Sequence, residues 1–177
     1  MNKKNIIWGI ALLLASCTQE MEYQPQSSEL RISVGVNETR VSQGNDGYTF
    51  DTNDEIGVFV TSEGKSIQAT DKSYNMKNRW SGSGWVAERP MYWTSDEVGT
   101  KNNVIGYYPY TTTVSDPTKF VFTVAADQST ANKMQKNDFL YGNTLAVKTA
   151  ENAAVHFTMN HKMARITVNV KYSTQFT

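Results

Sequence analysis

Residues 30–36 read Leu30-Arg31-Ile32-Ser33-Val34-Gly35-Val36, an aliphatic side chain at every second position with Arg, Ser and Gly between them. Successive side chains of a strand point to opposite faces, so a period of two places one face on a core and the other in solvent. Downstream, Gly44 to Gly47 is turn-rich, and Glu55 to Val60 is a compact apolar strand closed by Ser62-Glu63-Gly64-Lys65. Aromatic segments around Tyr74, Trp80, Trp85 and Met91-Tyr92-Trp93 follow, separated by Gly and Ser. Asn103 to Tyr110 and Lys119 to Ala125 read as two more strands, with Asp116-Pro117 turning between them. Only Ser129 to Phe139 has a helical character, short and polar. Lys148 to Ala154 reads as a linker. The chain ends in a hairpin over 153–172, with Val155, Phe157 and Met159 alternating in one arm and Ala164, Ile166, Val168, Val170 and Tyr172 in the other. Many short strands at turn-spaced intervals predict an all-β sandwich with one short helix, and not βαβ units.

Upstream of residue 30, Thr18 to Ser28 is polar and reads as a flexible tether. Before it, Lys3 and Lys4 form a positive start, and Ile6 to Leu14 is an apolar run of nine residues interrupted by Gly9. A helix needs about 20 apolar residues to cross a bilayer, so this run has the length of a signal-peptide core. It leads into Leu14-Ala15-Ser16-Cys17, which resembles the lipobox of bacterial lipoproteins. The expectation is cleavage between Ser16 and Cys17, with the thiol of Cys17 accepting a diacylglycerol and the freed amine acylated in turn. The predicted organisation is a signal over 1–16, a tether over 17–29 and a β-sandwich domain over 30–177. Several acyl chains anchor stably, since each buried methylene contributes about 0.8 kcal/mol. The expected address is the outer membrane, lipid-anchored and facing outward. Cys17 is the single cysteine, so no intrachain disulfide forms.

Removing the first 16 of 177 residues leaves 161, and the loss of Lys3 and Lys4 takes the 17 basic side chains to 15 against 17 acidic ones. No basic run survives, which argues against a nucleic-acid partner. Leu is scarce after position 17 while Thr, Ser, Asn, Tyr and Val are plentiful, so the core is expected to be aromatic and β-branched.

An ordered series of motifs resembles the fimbrillin family, the lipoprotein-derived subunits of type V pili. It runs Asp54-Glu55-Ile56-Gly57-Val58-Phe59, Tyr74-Asn75, the Trp80 region, Tyr92-Trp93 and Ile105-Gly106-Tyr107-Tyr108-Pro109-Tyr110. It continues through Asp127-Gln128-Ser129, Asn137-Asp138-Phe139-Leu140-Tyr141-Gly142 and Val155-His156-Phe157 to His161-Lys162-Met163-Ala164-Arg165-Ile166. The resemblance implies a transthyretin-like, Greek-key β-sandwich, the first of two in series. It thus implies a partial subunit lacking the second sandwich, with the hairpin 153–172 assignable to either domain. It further implies assembly by strand exchange with other pilin subunits after a trypsin-like cut. Arg40, followed by Val41, lies just after the first strand and is the matching position; the lipid is then an export handle and the destination a fimbrium. A pilus-anchoring subunit that keeps its lipid is the alternative within this class.

The remaining candidates have plainer explanations. His156 and His161 lack the acids or cysteine that would complete a zinc site, and read as packing or hydrogen-bonding side chains. Asp51, Asn53, Asp54 and Glu55 crowd oxygen ligands together, yet without the Gly and distal Glu of an EF-hand loop; a turn before a strand accounts for them. Asp127 and Asp138 flank the predicted helix as caps. No Ser-His-Asp set, phosphate loop or nucleophile elbow is present, so neither an enzyme nor a cofactor is expected. Trp80, Trp85, Trp93, Tyr107, Tyr108 and Tyr110 could stack on sugar rings as an exposed platform, making a surface glycan-binding lipoprotein, or could fill a Leu-poor core. Burial separates the two.

Overall fold

The computed structural model describes residues 28–37, 49–151, 153–163 and 171. The turn expected at 44–47 and nearly all of the hairpin arm expected over 164–172 lie outside these residues. The centre of the fold is set by two runs, β3 (Glu55–Ser62) and β7 (Lys101–Tyr108), which pair antiparallel from Gly57↔Tyr107 to Ser62↔Asn102. Both are apolar on both faces because both faces are covered. Ile56, Val58, Val60, Val104 and Tyr108 enter one core cluster, and Phe59, Ile105 and Tyr107 enter a second on the opposite face. Around this pair run β1 (Glu29–Leu30), β2 (Ile32–Asn37), β4 (Ser73–Trp80), β5 (Trp85–Ala87), β6 (Met91–Tyr92), β8 (Leu140–Val147) and β9 (Val155–His161). The described strands make a seven-stranded sheet in the order β2-β9-β8-β7-β3-β4-β5 and a two-stranded sheet β1-β6. All pairs are antiparallel except β2 with β9. Side chains from both ends of the long sheet meet in the first cluster (Ile32 and Val34 from β2, Trp85 and Ala87 from β5), so the sheet curls over that core as a β-sandwich.

The opposite face is covered by the segment between β7 and β8. The sequence predicts a strand over Lys119 to Ala125; the chain there is irregular. Its period of two is still used. Phe120 and Phe122 pack in the second cluster beside Phe139 (ring centroids 5.8 and 5.3 Å), while Val121 between them is 82% exposed. Alternation reports which side chains go inward, and here they go inward with no partner strand to form a ladder. The helix is also shorter than its predicted span, α1 covering Ala131–Lys136.

Strand β8 has no counterpart among the predicted elements, because its inward positions are Leu140, Gly142 and Ala146 and its outward ones include Leu145 and Val147. Small residues inside and large ones outside invert the usual hydrophobic signal. Lys148, placed in a linker by its sequence, continues this strand's backbone. Its N–H donates to the Thr100 carbonyl, its carbonyl accepts from Gly99, and the residue is 1% exposed.

Tyr107 locks the second cluster to the following turn. Its hydroxyl shares its proton between Asn75 Oδ1 and the Thr111 carbonyl, 2.8 Å each, and Asn75 Nδ2 donates to the same carbonyl at 3.0 Å. Burial pushes the phenol up to about 12 from 10.0. A folded pKa above the unfolded one means that this contribution to stability is complete below pH 10 and is lost as pH rises from 10 toward about 12. Ultraviolet titration is expected to show a tyrosinate forming last, near pH 12, and Tyr107→Phe is expected to remove that step and flatten the alkaline loss of stability.

Candidate functional site

The feature with most functional potential is the way residues 28–37 lie across the sandwich. Ser28 accepts from the Trp93 N–H at 2.9 Å, and β1 pairs with β6 at Glu29↔Tyr92 and Leu30↔Met91. At Arg31 the chain crosses to the large sheet, where the Arg31 carbonyl accepts from Val155 N–H at 2.8 Å and β2 begins to pair with β9. The register runs Ile32↔Val155, Val34↔Phe157 and Val36↔Met159, six parallel pairs ending at Asn37↔Asn160. One segment therefore staples two sheets. The alternation read in 30–36 explains the staple: Leu30 (2% exposed) and Ile32 (8%) enter the first core, with Val34 and Val36 packed against it. Outward, Ser33 Oγ meets His156 Nδ1 at 3.3 Å and Asn37 Nδ2 donates to Asn160 Oδ1 at 2.9 Å.

Among the described strands this staple is an edge strand. Hydrogen bonding to β9 uses Arg31, and by the alternation of a parallel ladder Ser33, Gly35 and Asn37; the amides of Ile32, Val34 and Val36 face the other way. Its removal would bare the inward Val155, Phe157 and Met159 and one backbone edge of β9. Arg40 and Val41, like Ser16 and Cys17, lie outside the described residues. β2 ends at Asn37, three positions before Arg40.

The other sequence candidates take structural places. Asp54 accepts from the Asp51 N–H at 2.9 Å and from the Tyr108 hydroxyl at 3.2 Å, and burial raises its carboxyl pKa. Glu55 sits 3.6 Å from both Lys77 and Arg79. The expected turn before β3 is thus what these residues build. Among the described residues, no three His, Cys, Asp or Glu side chains lie close enough to hold a metal ion together. The cap assignments need correction. Thr130 is the N-cap of α1, accepting from Lys133 N–H at 3.3 Å, while Asp127 binds Ser129 and the Lys133 ammonium just ahead of it. Asp138 instead lies 2.6 Å from His161 Nδ1, tying the start of β8 to the end of β9. The aromatic platform is not formed. Trp93, Tyr107 and Tyr108 are buried, and Trp80, Trp85 and Tyr110 are half-buried, with the Trp80 and Trp85 planes at 55° to each other. Among the described residues no helix is long and apolar enough to cross a membrane.

Sequence reasoning found the staple's inward face and missed its parallel partner. Strand direction is a property of the return path of the chain, and no local residue pattern encodes it.

Known proteins share this fold. A sequence model described as Fimbrillin-like matches residues 39–177. No curated protein matches the chain. Among solved structures, a fimbrial protein from Bacteroides ovatus ATCC 8483 superposes with TM-score 0.50 at 21% identity, over 76% of this chain and 28% of that one. A protein assigned to cell adhesion from the same strain gives 0.52 at 23%, over 76% and 52%. Another assigned to cell adhesion, from Bacteroides uniformis ATCC 8492, gives 0.51 at 18%, over 77% and 49%. The chain thus spans between about a quarter and a half of the length of these structures, and at such identities the likeness is one of fold.

Proposed function

The chain belongs to the fimbrillin-like family, and from that premise we propose that it is a structural and adhesive subunit of a surface fibre, exported as a lipoprotein and assembled by strand exchange. In this reading Cys17, freed by the cut after Ser16, carries the lipid that holds the precursor at the outer membrane. A trypsin-like cut between Arg40 and Val41 then releases everything before it, including β1 and β2. A strand from another pilin subunit takes the vacated place on β9, so the partners are further subunits and the destination is the fimbrium.

The observation that carries this reading is that residues 29–37 form a separable edge segment whose inward side chains plug the main core. Edge strands offer main-chain hydrogen bonds to any extended segment of matching register, and alternate pockets select the side chains that fit. The single parallel ladder among the described strands is the one such a cut would dissolve, and parallel pairing is slightly the weaker kind per residue.

Mass spectrometry of the N-terminus in cell-bound and shed protein tests the reading. Assembled subunits are expected to begin at Val41, while Arg40→Ala protein is expected to stay at a lipid-modified Cys17 and out of the fibre. An unmodified Cys17 overturns the export step. An intact, acylated N-terminus in every assembled subunit overturns the cut and leaves the anchoring subunit that keeps its lipid.

A further inference from the structure

The two ends of the described large sheet, β2 and β5, come within 8 Å between Cα atoms without forming a ladder. Hydrogen-bonded strands lie about 4.8 Å apart, so this approach admits no further strand. It does leave a cleft of about 510 Å³, lined on one side by residues 29–32 of the N-terminal leader and on the other by Asn78 and residues 84–91. Clefts that hold small molecules run from about 300 to 1,000 Å³.

The lining mixes donors and acceptors. Glu88 N–H donates to the Lys77 carbonyl and Ser81 N–H to the Gly84 carbonyl, so these are hydrogen-bonded pairs of the β4–β5 hairpin. The N–H and C=O groups of Trp85 and Ala87 therefore point away from β4. Trp85 also carries a buried indole Nε1 with no acceptor among the described residues, and buried donors are rarely left unmet. Asn78 spends its amide nitrogen on the Met76 carbonyl at 3.0 Å and Met91 Sδ at 3.4 Å, which leaves Oδ1 as an acceptor. Exposed Glu29 and Glu88 stand at the rim with exposed Arg31 and Arg89, so the charges cancel, while Leu30, Ile32 and Met91 supply apolar wall.

We infer that this cleft binds a neutral saccharide, and that the site exists only while the leader is in place. Donors and acceptors packed into one small cleft match hydroxyl groups, each of which both donates and accepts. Neighbouring hydroxyls on a ring also bridge the two oxygens of a carboxylate or the paired N–H groups of a guanidinium. The cancelled charges select against a strongly ionic ligand, and the apolar wall suits the C–H face of a sugar ring. Residues 29–32 form half of the site. A bound sugar therefore holds the leader to the body of the domain and, by mass action, opposes its departure. The site itself does not rest on the strand-exchange reading; where exchange occurs, the sugar delays it.

The test uses full-length Arg40→Ala protein, which keeps the leader, with methyl glycosides and disaccharides of the common neutral hexoses as probes and saturation-transfer NMR as the readout of binding. Trp85→Phe removes the unmet donor and keeps a ring beside Phe50, whose centroid lies 4.8 Å away. It is expected to weaken binding about tenfold without lowering the melting temperature. The Trp93 and Val155 amides donate to the Ser28 and Arg31 carbonyls and lie outside the cleft lining, so their exchange reports leader opening alone. With sugar at about ten times its Kd, that exchange is expected to slow about tenfold. Capture of the protein by the same sugars immobilised through the anomeric carbon identifies a glycan chain end as the source, and binding in solution alone identifies a free sugar. No bound sugar, a preference for uronic acids or amino sugars over neutral ones, or full-strength binding by Trp85→Phe each overturns the site. Unchanged exchange at Trp93 and Val155 overturns its dependence on the leader. None of these outcomes touches the β9 edge of cut protein, where failure of the strand-exchange reading itself would be seen.

Discussion

Gly142→Ala will cost the domain about 3 kcal/mol or more and lower its melting temperature by roughly 6–12 °C. A β-carbon at this position would lie 2.3 Å from the Thr158 carbonyl oxygen and 2.9 Å from its carbon. The obstacle is backbone, and that backbone is fixed from the far side, where Thr158 pairs with Gly35 in the β2–β9 ladder. Gly106 and Gly57 are also tight, but their neighbours are the Phe157 and Tyr107 rings. A ring can turn or shift at a cost, whereas a strand moves only with its neighbours. Gly142 lies beside the two ladder pairs that join β8 to β9, Leu140↔His161 and Tyr141↔Asn160. The alanine should therefore part the sheet at that joint, and amide exchange in β9 should accelerate more than in β3 or β7. A variant melting like the parent would show that β8 and β9 can move apart freely, and that close strand approach is not what requires glycine at this position.

What residue patterns revealed about this molecule divides along a physical line. Inward faces were readable wherever they were aliphatic or aromatic: 30–36, 55–60, 103–110 and 155–159 all place their alternating residues in a core. β8 escaped because two of its three buried residues, Gly142 and Ala146, are small, and at Gly142 the closeness of β9 and not apolar area sets the size. The segment 119–125 misled for the opposite reason, since it has the alternation of a strand but meets side chains and no free backbone edge. The candidate site was readable only in part. That residues 30–36 cover a core is written in their sequence; that they lie parallel on β9 and cross from β6 at Arg31 depends on segments far along the chain, β9 more than a hundred residues later.

Cutting away residues 1–40 is expected to cost roughly 5–9 kcal/mol, taking about 1.5–3 kcal/mol for each fully buried aliphatic side chain, with Leu30 and Ile32 counted whole and Val34 and Val36 by half. A whole domain is stable by only about 5–15 kcal/mol, so the freed chain should lose cooperative melting as a monomer, or associate through the bared β9 edge. A synthetic peptide of residues 28–37 supplied in trans should restore a cooperative transition, and the restored stability should rise with the logarithm of peptide concentration once the site is saturated. Replacing Val34 by Asp in that peptide places a carboxylate opposite Phe157 in the core and should abolish rescue at any attainable concentration. Strand exchange requires both halves of this result. A monomeric 41–177 chain with unaltered melting would mean that the leader is decoration, and that no donor has a vacancy to fill. A truncated chain that peptide cannot rescue would mean that the edge, once emptied, collapses before another strand arrives. Rescue by the alternating peptide alone would show that the leader is a placeholder, held by the contacts that any incoming strand must reproduce.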